Sequence, residues 1–205
     1  RLDGNKLPPM NLTANLAYPA AELPVSFSME NTFSGQGAVT FLDNEASFTL
    51  VHLRGESAQQ IHLPSPWTIQ WKESTLDIKP LRLEIGKGFL ELDGKADKNN
   101  FQLFVKGRDI FATIPLGDAN MPANAKITLE GAFNGPWNAP EALAHISAED
   151  IQIIDKFFGK APRCHASFDL SLKPSQAVMQ GEILCPGIEP VTMNVKLPMT
   201  LSLVP

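Results

Sequence analysis

This chain of 205 residues has two cysteines, one tyrosine and only 19% charged residues, and each shortage excludes something. Two cysteines are too few for a small domain built on disulfides. A low charged fraction beside 43% hydrophobic residues is the reverse of a disordered composition, so the chain can bury a real core. The net charge of -5 provides no basic footprint for nucleic acid, and that partner class is set aside. No run approaches the roughly 18 apolar residues that a membrane-spanning helix requires, and no basic region with an apolar core and cleavage site opens the sequence.

Catalytic patterns are lacking as well. His52, His62, His145 and His165 are spread out, and none forms an HxxxH ligand pair. Cys164 and His165 are adjacent, but neighbours on a strand point to opposite faces, which keeps a thiol and an imidazole apart. Gly86-Lys87-Gly88 lacks the further glycines and the Ser or Thr of a phosphate loop and reads as a turn. There is no GxSxG, and Asn11-Leu12-Thr13 is a glycosylation sequon too short to weigh. The expectation is a non-enzymatic chain with no metal and no cofactor.

What the sequence does have is alternation, punctuated by 17 prolines and 14 glycines placed singly. The stretch from Arg163 to Pro186 shows it best. Folded about Lys173-Pro174-Ser175-Gln176 with Leu172 facing Ala177, it pairs Leu170 with Met179, Phe168 with Gly181 and Ala166 with Ile183. It then sets Cys164 opposite Cys185. One face of this hairpin is apolar, and the other carries Ser167, Asp169, Gln180 and Glu182. Two cysteines opposed in a register chosen by the apolar pattern are candidates for a cross-strand disulfide, which implies an oxidising compartment such as a periplasm. The alternative is two buried free cysteines acting as small hydrophobes.

The same construction recurs along the chain. Met10 to Tyr18 faces Leu23 to Met29 across Pro19-Ala20-Ala21-Glu22, pairing Leu16 with Val25, Ala14 with Phe27 and Leu12 with Met29. About Asp43-Asn44-Glu45, Phe41 meets Ala46 and Val39 meets Phe48. Trp67, Ile69 and Trp71 face Pro80, Ile78 and Leu76, with a bulge expected at Pro80 because proline cannot complete a ladder. Leu90 and Leu92, Phe101, Leu103 and Val105, and Ile127, Leu129, Gly131 and Phe133 alternate in turn. Pro140 to Ile146 fits either a short turn of helix or a strand. The two tryptophans Trp67 and Trp71 read either as core packing or as the lining of an apolar groove with their N–H groups at its rim.

Strand after strand is therefore apolar on one side only, and that side must be covered. Either a second sheet packs on it, or the sheet curls lengthwise around an apolar channel filled from outside the chain. The expected apolar face comprises Leu16, Val25, Phe27, Phe41, Phe48, Trp67, Ile69, Trp71, Leu90, Leu92, Leu103, Val105, Leu129, Phe133, Phe168, Leu170, Met179 and Ile183.

Several of these runs resemble a known family. Leu83 to Gly94, Phe101 to Lys106, Ile114-Pro115-Leu116, Ile127 to Gly131, Asn134-Gly135-Pro136 and Ala139-Pro140 are similar to the repeating body of the TamB family, within the AsmA-like group. The end from Val195 to Pro205 looks like a strand that recurs in that family, with weaker echoes at Leu23 to Ser28 and Leu63-Pro64. The cysteines are not part of the pattern. The resemblance implies an all-β fold, a long curved antiparallel sheet folded lengthwise around an apolar groove (a β-taco), with a β-sandwich as the alternative. It implies an internal segment, residues 1–205, of one elongated periplasmic domain, with sub-repeats near 1–60, 61–160 and 161–205. The full-length protein would be anchored in the inner membrane of a Gram-negative envelope, outside this window. Its implied partners are phospholipid acyl chains or unfolded outer-membrane protein strands, and a TamA-like barrel reached through other parts of the protein. The implied work is phospholipid transport between the membranes and outer-membrane protein assembly or autotransporter secretion. The alternative function is a structural or adhesive sandwich that binds a protein along an edge strand.

Overall fold

The computed structural model describes residues 10–14, 22–29, 33–42, 45–56, 60–116, 121–153 and 163–199. These form fourteen strands and, among the described residues, no helix. In chain order they are β1 (Met10–Ala14), β2 (Glu22–Met29), β3 (Phe33–Leu42), β4 (Glu45–Glu56), β5 (Gln60–His62), β6 (Trp67–Lys72) and β7 (Thr75–Ile85). There follow β8 (Gly88–Ala96), β9 (Asn100–Leu116), β10 (Met121–Pro136), β11 (Glu141–Ile153), β12 (Cys164–Lys173), β13 (Gln176–Leu184) and β14 (Val191–Pro198). All belong to one sheet, every pairing is antiparallel, and the spatial order follows the chain. Short links between alternating runs leave each strand no nearer partner than the next one, which is why a meander results.

One irregularity is instructive. β5 pairs with one end of β4 and of β7, and β6 with the other end of both, so the two short strands together fill a single place in the sheet. Leu63-Pro64-Ser65-Pro66 interrupts them, because prolines cannot donate to a ladder. The break is packed as well as tolerated. Leu63 turns in between Leu50 and Leu53, only 4% exposed, and Phe27, Phe48, Trp67, Leu81 and Leu83 close around the three.

Most expected registers appear as read. Leu172 faces Ala177, Leu170 faces Met179, Phe168 faces Gly181 and Ala166 faces Ile183. Phe41 meets Ala46, Val39 meets Phe48, and Ile69 and Trp71 meet Ile78 and Leu76. The ladder of β7 shifts between Ile78 and Leu81, around Pro80, so Trp67 has no ladder partner there. Its indole N–H instead donates to the Lys79 carbonyl at 2.7 Å. The stretch from Glu141 to Ile146 is strand, not helix, and continues through Ile151 to Ile153 as one element. The first hairpin is a correction: Leu12 pairs with Phe27 and Ala14 with Val25, two residues away from the expected register. A slip of two leaves every residue on its own face, so alternation alone could not detect it. The expected Leu16 partner of Val25 and the turn at Pro19 lie outside the described residues, as do Asp43 and Asn44.

Further bulges interrupt the sheet, two of them beside aspartates. The register of β10 with β9 shifts beside Asp109 (φ 55°), and that of β11 with β12 beside Asp150 (φ 52°). Aspartate tolerates this left-handed region better than most side chains. Lys126 Nζ lies 2.9 Å from Asp109 Oδ1 and 3.5 Å from Glu149 Oε2, joining three strands over these bulges. The Asp109 carboxylate raises the Lys126 pKa above its ordinary value, mainly through this hydrogen bond.

The pairing also explains why glycines recur on the apolar side. A Cβ on Gly35 would come within 2.3 Å of the Phe27 ring, and one on Gly181 within 2.3 Å of the Phe168 ring and 2.5 Å of the Ser167 carbonyl oxygen. In each pair the aromatic ring lies over the glycine opposite, covering backbone that has no side chain of its own. Gly181→Val is therefore expected to destabilise the chain by about 1–3 kcal/mol, because the ring can rotate away but the Ser167 carbonyl cannot. Urea unfolding measures this. A midpoint equal to wild type would show that the ring does not rest on this glycine.

Among the described residues, all substantial contacts between elements join strands that are paired in the sheet. No large side chain among the described residues is fully buried. The buried apolar residues are the leucine cluster around Leu63, a group of small residues at Ala125, Ala148 and Ala166, and a few others such as Cys164. Sheets facing each other about 10 Å apart would bury their inner side chains. Here Phe41 is 56% and Trp71 53% exposed on the apolar side.

Candidate functional site

Directly opposed residues in antiparallel strands share a face, so the registers can be chained across the sheet. One chain runs Leu23, Val39, Phe48, Ile69, Ile78, Gly94, Leu103, Phe133, Ala142, Leu172, Ala177, Leu197. It crosses every strand place from β2 to β14 without one polar residue, a path of about 50 Å at roughly 4.8 Å per spacing. Parallel rows on the same face are also apolar or glycine. One runs Leu81, Leu92, Val105, Gly131, Ala144, Leu170, Met179, Val195, and another Leu83, Leu90, Gly107, Leu129, Ile146, Phe168, Gly181, Met193.

The residues singled out from the sequence are distributed over these rows. Phe48, Ile69, Leu103 and Phe133 belong to the first, Leu92, Val105, Leu170 and Met179 to the second, and Leu90, Leu129 and Phe168 to the third. Val25 pairs with Gly37, Phe27 with Gly35, Phe41 with Ala46, Trp67 with Leu50, Trp71 with Leu76 and Ile183 with Ala166, all on this face. Leu16 lies outside the described residues. Most of these side chains are partly buried.

A depression of about 460 Å³ hollows the face where Ile78, Leu103, Phe133 and Leu172 meet. Its walls come from β7 to β12, which in a flat sheet would lie roughly 24 Å apart. Strand twist makes a sheet a saddle, hollow along one direction on each face. Trp137, in the β10–β11 link, closes one end. Its ring stacks at 4.8 Å on Phe101, and its indole N–H donates to the Asp97 carbonyl at 2.8 Å. Asp97 in turn organises the β8–β9 turn by accepting the backbone N–H groups of Asn99 (2.7 Å) and Asn100 (2.8 Å). These hydrogen bonds, Asn100 first, lower its carboxyl pKa below the ordinary value. A loop residue thus depends on a turn forty residues earlier.

The tryptophans of β6 are fixed in the same manner. Trp67 donates to the Lys79 carbonyl and Trp71 to the Glu73 carbonyl at 2.9 Å, so both N–H groups are satisfied within their own hairpin. Cys164 and Cys185 are joined by a disulfide, with Cα atoms 4.4 Å apart, the close spacing of a non-hydrogen-bonded antiparallel pair. Ile151 faces Cys164 just past the Asp150 bulge, so the bridge holds β12 and β13 together where the β11–β12 register changes.

Some members of this face were visible in the alternation but were not singled out: Leu76, Leu81, Leu83, Leu172 and Val195. Leu63 and Trp137 carry no periodic signal, since both sit in links, and only the tertiary packing brings them in. The ionisable side chains lie elsewhere. Lys72 with Glu45, Arg82 with Glu91, and Lys126 with Asp109 and Glu149 are pairs on the opposite face, and Arg82 also stacks over Phe89 at 4.0 Å. Among the described residues no group of three His, Cys, Asp or Glu side chains is placed to hold a metal ion.

Fold and face together define an all-β protein built on one large antiparallel sheet with a continuous apolar side. No protein-family model, no curated protein and no solved structure matches this chain.

Proposed function

We propose that this chain is a non-enzymatic segment of a hydrophobic groove in a Gram-negative envelope protein, one that shields acyl chains from water as phospholipid passes between the inner and outer membranes. The observation that carries this reading is the unbroken apolar row from Leu23 to Leu197, on a sheet where no large side chain among the described residues is fully buried. Monomeric soluble proteins rarely expose contiguous apolar area beyond a few hundred Å² unless it binds something. A face with no fixed polar anchor is suited to a cargo that is long and featureless, which an acyl chain is. The resemblance of Leu83 to Gly94 and the later runs to the TamB family supports the periplasmic setting, the inner-membrane anchor outside this window and a role in outer-membrane protein assembly or autotransporter secretion. The disulfide agrees with an oxidising compartment.

The test is extraction with organic solvent and mass spectrometry of protein made in a membrane-containing bacterial host. Co-purified phospholipid in a fixed ratio is the expected result. Protein that emerges folded and lipid-free, and that takes up no fatty acid from detergent-free solution, would sink the proposal.

A further inference from the structure

We propose that the opposite, polar face carries a separate docking site for a basic amphipathic helical segment of a partner protein. Apolar side chains occur singly on the polar face, as at Phe89 and Phe111, but in one transverse row they follow one another. Phe104, Ala132, Leu143, Ser171 and Val178 are successive cross-strand partners from β9 to β13, so four apolar residues line up where alternation calls for polar ones. They have not been withdrawn from water, since Leu143 is 65% and Phe104 40% exposed. The row forms part of the wall of a depression of about 770 Å³ that spans β8 to β13. No neighbouring element covers it among the described residues.

Charge selects the occupant. The next row and its flank put Glu91, Asp93, Glu130 and Asp169 into the same depression against one lysine, Lys106. Four carboxylates thus stand against one ammonium in the depression. Glu91 is matched by Arg82, and Asp169 lies 2.8 Å from His145 Nδ1, whereas Asp93 and Glu130 have no ion-pair partner among the described residues. A ligand that fits must offer apolar side chains along a line and cations beside it. From β9 to β13 the line is about 19 Å long, the length of a helix of roughly 13 residues. An apolar stripe at spacings of three and four flanked by lysine or arginine meets both requirements.

The probe is a fluorescein-labelled 14-residue peptide of leucine and lysine with that spacing, followed by anisotropy against the intact chain. Saturable binding that weakens steeply with salt is expected. Leu143→Asp and Glu130→Lys should each weaken it at least tenfold. Glu182→Lys, on the same face outside this depression, should change it less than twofold, and a saturating fatty acid should not displace the peptide. Leu143 is well exposed, so its variant is expected to fold, which circular dichroism checks. Three results would each overturn the proposal: unchanged affinity in Leu143→Asp, equal weakening in Glu182→Lys, or displacement by fatty acid. The second would mean that charge alone attracts the peptide, and the third that it lies on the apolar face. Because the fatty acid reports on the opposite face, failure here and failure of the groove reading are read separately.

Discussion

Leu92→Asp and Leu170→Asp are each expected to lower the affinity for a fluorescent fatty acid at least tenfold while circular dichroism still shows the wild-type sheet. Both residues stand in the row that runs from Leu81 to Val195, separated by Val105, Gly131 and Ala144. An acyl chain lying along this row would press against the new carboxylate and strip it of water. An ionised group desolvated without a partner costs several kcal/mol, and about 1.4 kcal/mol already makes a tenfold change. Stability should suffer far less. Each leucine is only partly buried, so removal forfeits a fraction of the roughly 1.5–3 kcal/mol that full burial of such a side chain confers, and the carboxylate can reach solvent in the empty groove. Fatty-acid titration and urea unfolding of the same preparations separate the two effects. Loss of fold in both variants would mean that the face is a closed core, and unchanged affinity with an intact fold would mean that cargo does not lie on this row.

Removing the disulfide should have the largest effect on stability. The bridge between Cys164 and Cys185 closes a loop with a sequence separation of 21, for which the chain-entropy argument gives about 3 kcal/mol. For a chain of this size, that corresponds to melting about 6–12 °C lower in the double variant Cys164→Ser, Cys185→Ser. The loss should also be local. Hydrogen exchange is expected to quicken near His165 and Leu184, beside the missing bridge, and to stay slow toward the turn at Pro174 and Ser175, where the β12–β13 pairing closes independently. Cys164 is 8% exposed and Cys185 more so, which leaves a reductant one partly open approach, so reduction should be slow in the native chain and fast in urea. A melting temperature within 2 °C of wild type would show that the unfolded chain gains little freedom from the cut.

Alternation was enough to assign most of the strands and their faces because side-chain direction in a strand has a period of two, and a one-sided sheet writes that period into the sequence. The hairpin from Cys164 to Cys185 shows how far this goes: a tight turn fixes the offset, and every further pair, the bridge included, follows from it. The first hairpin shows where it stops. There, registers two residues apart present the same faces, so alternation did not separate Leu12 facing Phe27, as it does, from Leu12 facing Met29. Residues outside the strands carry no period at all. Trp137 closes its depression through a ring contact with Phe101 and a hydrogen bond to the Asp97 carbonyl, and Leu63 fills a gap created by a break in pairing. Neither could be placed before the strands were laid side by side.

By itself, then, the sequence determined an all-β chain with one apolar side and named a good part of the residues on it. Only the tertiary structure decided that this side runs unbroken from β2 to β14 within one sheet, and that Phe104, Ala132, Leu143 and Val178 form a line on the other face. The physical reason is the same in both cases. Which face a residue takes is set by its neighbours along the chain, whereas the rows across a sheet are set by registers, bulges and turns that couple strands distant in sequence.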